Sequence, residues 1–239
     1  MIANLSDKLL GAFFAAAISG AAGFGGALLL LPLLVVYVGA EHAVPLLTVA
    51  QLIGNFSRAG FGFKKIQWRP VALFLIGAIP SAVLGALSFV QLPKNIVTRA
   101  IGLAIIIFVI LKITGILKLK PSKWLLLIGG IIVGFLSGLV GSAGPIGAVV
   151  FLTLGLPPVA YVASEATTAI AMHAVKMLIY QQFITLDKQF WLLAILLGAA
   201  MILGTWVAKK FIERISPEKF QKYISILLIA IGLYMLIHG

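Results

Sequence analysis

Two apolar stretches of this chain are too long to cross a membrane once as straight helices. They cover residues 9–39 and 123–155. At ~1.5 Å per residue, each would extend about 45–50 Å, against a hydrocarbon core of about 30 Å. Each stretch also contains a cluster of glycine and serine, at residues 19–26 and 137–144. A glycine-rich break in such a stretch predicts two shorter helices that meet at a tip, inside a cavity lined by protein or water.

The two breaks match each other at a constant spacing. Ser, Gly, Gly and Gly recur 118 residues apart, at positions 19/137, 20/138, 23/141 and 26/144. This match predicts two diverged repeats, at about residues 8–117 and 123–238. Both belong to a single transmembrane domain over residues 1–239.

Composition identifies the class of protein. Hydrophobic residues make up 62% of the chain and charged residues 10%, and the mean hydropathy is +1.18. These values predict an all-α polytopic membrane protein. The net charge of +12 does not indicate a nucleic-acid partner, because the basic residues lie mainly between apolar runs, where they orient a protein in the bilayer. The absence of cysteine excludes disulfides, thiolate metal sites and cysteine nucleophiles, and we predict no metal and no cofactor.

Six further apolar runs each have about the length of one span. They lie near residues 43–63, 70–91, 96–117, 159–182, 190–208 and 219–238. Two topologies fit these runs. In one, all eight runs cross as plain transmembrane helices, four in each repeat. In the other, the two long runs are re-entrant hairpins, and each repeat keeps three true spans.

The basic residues distinguish these topologies. Arg58 and Lys176 lie inside runs, which leaves 16 of the 18 Lys and Arg residues in loops or at run ends. Eight crossings would divide them nine against seven, whereas two hairpins divide them twelve against four. Short loops rich in Lys and Arg stay in the cytoplasm, so the count favours the hairpins. It predicts inverted repeats in the plasma (inner) membrane, with both termini extracytoplasmic.

The tips of the hairpins are candidate binding sites for an anion. Each tip begins a second half-helix, near 27–39 and 145–155. The first N–H groups of a helix lack internal partners and carry partial positive charge, which favours an anion. We predict that the following tip residues bind the substrate: Ser19, Gly23, Gly25, Gly26, Ser137, Gly141, Ser142 and Gly144. The alternative is that the glycines only allow helices to pack closely.

Two pairs of polar residues lie inside predicted spans at the same offset of 118. Asn55 precedes Arg58 by three residues, and His173 precedes Lys176 by three, so each pair shares one helical face. Thr48, Gln51, Asn55 and Arg58 form a polar stripe, which predicts a face toward a cavity. We predict that both pairs bind an anionic substrate. In the alternative, the two cations snorkel to the membrane interface.

Glu165 is the only carboxylate inside a predicted span. With His173 on the same helix, it is a candidate for a relay that couples transport to protons. The alternatives are an internal ion pair with Lys176 or a place at the end of the helix. Glu41 and His42 are predicted to lie in a short solvated loop between two runs.

The chain resembles the sulfite exporter TauE/SafE family, also called the TSUP permeases, over about residues 8–238. The resemblance rests on Ser19-Gly20-x-x-Gly23-x-Gly25-Gly26 and its echo at residues 137–144, with small-residue segments at 77–86 and 198–204. The second motif departs from consecutive glycines, since it reads Gly-Ser-Ala-Gly-Pro. The resemblance implies movement of sulfite, sulfoacetate, other sulfonates or related small anions.

These observations together predict a secondary transporter that exports a small sulfur-containing anion across the lipid bilayer, with protons as a coupling ion. No G-x-x-x-x-G-K-[ST] motif for ATP is present. One alternative is a passive anion channel, which the same tips and cations suit. A membrane enzyme acting on lipid phosphates would need a carboxylate or histidine beside the tip serine, and neither tip has one. We therefore predict no catalytic residues.

Overall fold

The computed structural model of the chain is helical throughout the part that it describes. Described are residues 6, 10–14, 27–88, 99, 102–103, 106–107, 109–110, 121–141, 143–182 and 187–238. These residues form helices, turns and short connections and contain no β-strand, which confirms the prediction of an all-α protein.

Seven α-helices lie within the described residues. They are α1 (Ala27–Phe61), α2 (Trp68–Ser88), α3 (Lys123–Val140), α4 (Gly144–Leu152), α5 (Pro158–Tyr180), α6 (Lys188–Ile212) and α7 (Pro217–His238). A 3-10 turn over Phe63–Lys65 joins α1 to α2.

Local sequence explains where several helices begin. The Ser122 hydroxyl accepts a hydrogen bond from the Leu125 N–H at 3.0 Å, and the Asp187 carboxylate accepts one from the Phe190 N–H at 2.7 Å. These side chains cap α3 and α6 by satisfying N–H groups that the first turn leaves unpaired. Proline lies in the first turn of α4 and α5, where its missing N–H removes no helical bond.

The second long apolar run is broken where the glycine cluster predicted. Helix α3 ends at Val140, Gly141 follows with φ 83°, and α4 begins at Gly144. A positive φ is open to glycine at low energy, so Gly141 can end the helix in the left-handed conformation. The predicted half-helix near 145–155 is therefore α4, and it is nine residues long.

The prediction of a loop at Glu41 and His42 was wrong. Both residues lie inside α1, which continues for 35 residues from Ala27. Among the described residues, the positive φ values belong to Gly141 and Gly155. None of residues 39–43 therefore turns the backbone in the way that Gly141 does. Helical hydrogen bonds therefore continue through the segment. His42 is nevertheless exposed, while Ala43 and Leu46 pack into an apolar cluster with α6.

Helices α2 and α3 run parallel and are in close contact through glycine. Gly130 lies against Phe74, Gly134 against Ala78, and Gly138 against Ala82, so the contacts advance together along both helices. A Cβ atom at any of these glycines would overlap a backbone carbonyl of α2. Small residues every fourth position allow this approach in membrane helices. Gly138, part of the second glycine cluster, therefore serves helix packing.

Helix α4 turns back along α3, and α5 runs beside both. Gly129 of α3 lies against Val150 of α4, and Gly147 of α4 lies nearest Val133 of α3, so the two helices are antiparallel. The Tyr161 hydroxyl near the start of α5 donates to the carbonyl of Ala148 at 3.4 Å. Helices α3, α4 and α5 therefore pass back and forth through one bundle.

The end of α1, the start of α5 and the end of α6 meet at one end of this bundle. Gly62 follows α1 and lies against Val159 and Ala163 of α5. Lys209 near the end of α6 has its Nζ 4.9 Å from the centre of the Phe61 ring. We call this the basic end. Its basic residues are Lys64, Lys65, Arg69, Lys123, Lys209 and Lys210.

The outer surface of α2 and α6 is apolar. Large exposed side chains on these helices include Ile76, Leu84, Leu87, Leu192, Ile195 and Leu203. Within the described part of the chain, α2 and α6 are the two helices long and apolar enough to cross a membrane by length and hydropathy alone. Polar groups such as Gln51, Asn55 and Lys176 are buried instead. An apolar exterior around a polar interior suits a lipid environment.

Candidate functional site at the helix break

A cavity, here called the central cavity, lies where α1, α3, α4 and α5 meet. Its polar lining consists of Gln51, Asn55, Ser137, Glu165, Thr168 and His173. Ala143, Gly144 and Gly147 at the start of α4 complete one wall. The space that the centre of a water-sized molecule can occupy is about 20 Å³. A cavity of this size holds about one water molecule, so the site is closed in this conformation.

Several buried polar atoms that line the central cavity have no hydrogen-bond partner within the described protein. They are both amide atoms of Gln51, both amide atoms of Asn55, and Nδ1 of His173. The two amide side chains are each only 1% exposed. An unsatisfied buried polar group costs about 1–3 kcal/mol, so native proteins keep few of them. Their concentration around one cavity indicates a site for a polar ligand.

The start of α4 adds a second feature that favours an anion. Ala143 precedes the helix without a side-chain hydrogen bond to cap it, and Ala143 and Gly144 both line the cavity. The positive end of the α4 dipole therefore borders the same space as the unpaired amides. Gly147 lines the cavity one turn further, and a Cβ atom there would make only an ordinary contact with Val133, 3.5 Å away.

A buried ion pair lies at the side of the central cavity that faces the basic end. Nη1 of Arg58 in α1 is 3.6 Å from Oε2 of Glu165 in α5, and both side chains are almost fully buried. At 3.6 Å the atoms attract each other electrostatically without a well-formed hydrogen bond. The pair links α1 to α5. The predicted internal pair of Glu165 with Lys176 is not formed.

Lys176 is buried in a different setting. Its side chain is 0% exposed, and Nζ donates to Oγ of Ser137 at 3.0 Å, to the Gly141 carbonyl at 2.9 Å and to the Ser137 carbonyl at 3.3 Å. Carbonyls in the last turn of a helix lack helical partners and carry partial negative charge. Lys176 therefore closes the end of α3. The Tyr180 hydroxyl, one turn further, donates to the Gly138 carbonyl at 2.8 Å.

The snorkelling alternative fails for both cations. Arg58 and Lys176 are 3% and 0% exposed, and each has buried partners inside the protein. Neither side chain reaches the surface of the bundle.

The predicted site residues thus fall into three groups. Asn55, Ser137, Gly144, Glu165 and His173 line the central cavity. Arg58, Gly141 and Lys176 adjoin it through the ion pair and the end of α3. Ser19, Gly23, Gly25, Gly26 and Ser142 lie outside the described residues.

Two polar lining residues were missing from the predicted set. Gln51 was placed in the polar stripe of α1 but was not predicted to bind substrate, although its spacing to Asn55 and Arg58 carried the signal. Thr168 has no polar counterpart 118 residues earlier, where the chain has Ala50, but it lies three residues after Glu165, on the same face of the helix. That spacing was the available signal for Thr168.

Comparison with known proteins assigns the chain to a family. The sequence model of the sulfite exporter TauE/SafE family matches residues 9–235, nearly the whole chain. The chain belongs to the sulfite exporter TauE/SafE family. Among relatives of this TauE/SafE chain is the probable membrane transporter protein YjnA of Bacillus subtilis (strain 168). The two are 26% identical over 260 residues, covering 98% of this chain and 100% of YjnA. No solved structure matches.

The family confirms the predicted resemblance and identifies the chain as a membrane transporter. For a TauE/SafE chain, a closed cavity lined by buried polar groups is a natural candidate for the substrate site.

Proposed function

We propose that this TauE/SafE-family protein is a secondary transporter that exports small sulfur-containing anions, such as sulfite, sulfoacetate or other organosulfonates, across the plasma membrane. The observation that carries the proposal is the central cavity, where the unpaired amides of Gln51 and Asn55 meet the start of α4 beside Arg58. The sulfur anion and the outward direction come from the description of the family as sulfite exporters. A membrane potential that is negative inside also drives anions outward.

Each group in the proposed site has a distinct role. The amide N–H groups of Gln51 and Asn55 donate to sulfite or sulfonate oxygens, and His173 adds a ring nitrogen. Arg58 supplies the positive charge and can donate two parallel hydrogen bonds to an oxyanion. We assign Lys176 and Ser137 to holding the helix break, because they bind each other. Gly141 forms the turn, and Gly144 lets the anion approach the start of α4.

The same geometry supports proton coupling. A proton on Glu165 removes the negative charge that attracts Arg58, so the guanidinium can be drawn toward the anion instead. His173 faces the same cavity and is the second candidate for the relay. Ser19, Gly23, Gly25, Gly26 and Ser142 remain predicted ligands at the tips.

The packing of α3 and α4 supports a re-entrant hairpin in the second repeat, whereas the predicted return of the first run near residues 39–43 is absent, because α1 continues from Ala27 to Phe61. Helix α4 returns along α3 toward the basic end, as a re-entrant hairpin requires. The Lys209–Phe61 contact holds the ends of α6 and α1 together, whereas eight plain spans would separate Lys209 and Lys64 to opposite faces. We propose that the basic end is cytoplasmic and that both termini are extracytoplasmic.

The test is flux and counterflow in proteoliposomes. Sulfite, sulfoacetate, sulfate, thiosulfate and a carboxylate would each be offered with and without a pH gradient. We expect saturable exchange of at least one sulfur anion, stimulated by the gradient, and loss of stimulation in Glu165→Gln. Arg58→Ala should abolish exchange, and Arg69→Ala, an exposed arginine at the basic end, is the matched control. Flux without counterflow would instead identify a channel, and no flux of any sulfur anion from folded protein would refute the substrate class.

A further inference from the structure

A second cavity lies beyond the ion pair, toward the basic end. It is lined by Arg58, Phe61, Gly62, Thr205, Lys209 and Ile212, and Val159 and Val162 of α5 complete it. We call it the vestibule. Like the central cavity, it offers about 20 Å³ to the centre of a water-sized molecule.

The order of residues along two antiparallel helices places the ion pair between the cavities. On α1, Gln51 and Asn55 line the central cavity, and Arg58 and Phe61 line the vestibule. On α5, Glu165 and later residues line the central cavity, whereas Val159 and Val162 line the vestibule. An anion moving between the two spaces must therefore pass the Arg58–Glu165 pair.

We propose that the vestibule is a second anion-binding site on the transport path, an inference that rests on the proposed function. The Arg58–Glu165 pair is then the gate between the vestibule and the central cavity. The lining supplies two cations, Arg58 and Lys209, together with the buried Thr205. No carboxylate is among the described lining residues. Lys209 forms an ion pair with Glu213 one turn away, with Nζ 3.7 Å from Oε1, and partly exposed pairs of this kind contribute little.

The chemistry of arginine suits a gate of this kind. Its five N–H donors form a planar fork, so Arg58 can contact Glu165 on one side and an incoming anion on the other. An anion in the vestibule then competes with Glu165 for the guanidinium, whose Nη1 lies 3.6 Å from Oε2 of Glu165, beyond ordinary hydrogen-bond distance. Gly62 packs tightly beside the pair, since a Cβ there would lie 2.6 Å from Cβ of Ala163. This tight packing leaves little room for a path around the gate.

The absence of cysteine allows a direct test by thiol labelling. Thr205→Cys reports on the vestibule, and Thr168→Cys, at another buried threonine, reports on the central cavity. Each would be labelled in vesicles of both orientations with an anionic sulfonatoethyl methanethiosulfonate and with its cationic trimethylammonium counterpart. Sulfoacetate and sulfate are the competing anions, against chloride at constant ionic strength.

We expect Thr205→Cys to react from one face only, faster with the anionic reagent than with the cationic one, and more slowly in the presence of sulfoacetate or sulfate. Lys209→Gln should reduce the preference for the anionic reagent. From that face, Thr168→Cys should react slowly, and breaking the pair with Glu165→Gln should accelerate its labelling by about tenfold. Arg58→Gln breaks the same pair from the other helix and should give the same acceleration. Monodisperse elution in detergent verifies folding of each variant.

Equal reaction of Thr205→Cys with both reagents, without protection by either anion, would overturn the second site. Labelling of Thr168→Cys at the same rate with and without the ion pair would overturn the gate. These outcomes are separate from failure of the proposed function. A chain that transports no sulfur anion can still show gated labelling, and a working transporter can still lack it.

Discussion

Arg58 and Lys176 lie 118 residues apart, at positions that the sequence predicts to be equivalent in two repeats, yet the structure gives them different surroundings. Arg58 of α1 pairs with the Glu165 carboxylate of the neighbouring helix α5. Lys176 faces the end of α3 and donates to the Gly141 carbonyl and to Ser137. The helix packed against each cation therefore determines its partners, even though the sequence predicts that the two positions are equivalent. One cation is paired with a carboxylate, and the other donates to Ser137 and to the last carbonyls of α3.

The largest expected effect is on stability, at Lys176. Replacing it with methionine leaves the carbonyls at the end of α3 buried without donors. We expect a loss of about 3 kcal/mol or more, since hydrogen bonds to charged groups contribute about 1.5–3 kcal/mol each. Thermal unfolding in detergent measures the change, and Lys219→Met, at an exposed lysine of α7, is the control. Loss of transport with an unchanged melting temperature would show instead that Lys176 acts on substrate.

The next effect is on transport, at Arg58. Arg58→Gln removes the proposed charge for the anion, and we expect transport of the sulfur anion to fall by about 100-fold, as for the loss of about 2.7 kcal/mol of binding. Initial rates in proteoliposomes measure it. The matched Arg69→Gln change should leave the rate within about twofold, because Arg69 is exposed outside both cavities and surface substitutions have small effects. Unimpaired transport in Arg58→Gln would contradict the proposal that Arg58 supplies the positive charge for the anion.

Two glycines, Gly141 at the second break and Gly147 in α4, separate a structural role from a role in binding. Gly141 has φ 83°, and a Cβ there would lie 2.8 Å from Cγ1 of Val44. Gly141→Ala should therefore destabilise the protein by about 1–2 kcal/mol, the cost of a left-handed conformation for a residue with a Cβ. Gly147→Ala meets only Val133 at 3.5 Å, so its melting temperature should not change. Because Gly147 lines the central cavity, we expect a weaker apparent affinity for the anion there. Equal melting temperatures for the two variants would contradict this division.

At Gln51 we also expect little or no loss of stability. Its buried amide has no partner among the described residues, so Gln51→Met removes an unsatisfied group while keeping the volume similar. We expect the unfolding free energy to stay within about 1 kcal/mol of the parent or to rise. The KM for the anion should increase by about tenfold, which corresponds to one lost hydrogen bond of about 1.4 kcal/mol. A large drop in stability with an unchanged KM would show that the amide has a structural partner.

Local sequence rules predicted the second helix break and missed the course of α1. Gly141 and the Gly144-Pro145 pair act on their own backbone, so the end of α3 and the start of α4 could be predicted without any tertiary contact. Between residues 39 and 43 no such constraint exists, and α1 continues while Ala43 and Leu46 pack against α6. A run boundary inferred from hydropathy alone was therefore less reliable than the position of Gly141, a residue that can adopt a positive φ.

The sequence by itself determined the class of protein, the position of the second break and the family, because these depend on composition, on local backbone chemistry and on motif spacing. Helical spacing also placed Asn55 and Arg58 on one face of a helix. Only the tertiary structure decided that Arg58 pairs with Glu165, that Lys176 closes α3, and that the start of α4 borders the cavity lined by Gln51 and Thr168. Those outcomes depend on which helices pack together. Buried charges and amides take whichever partners the neighbouring helix presents, and no local rule specifies that neighbour.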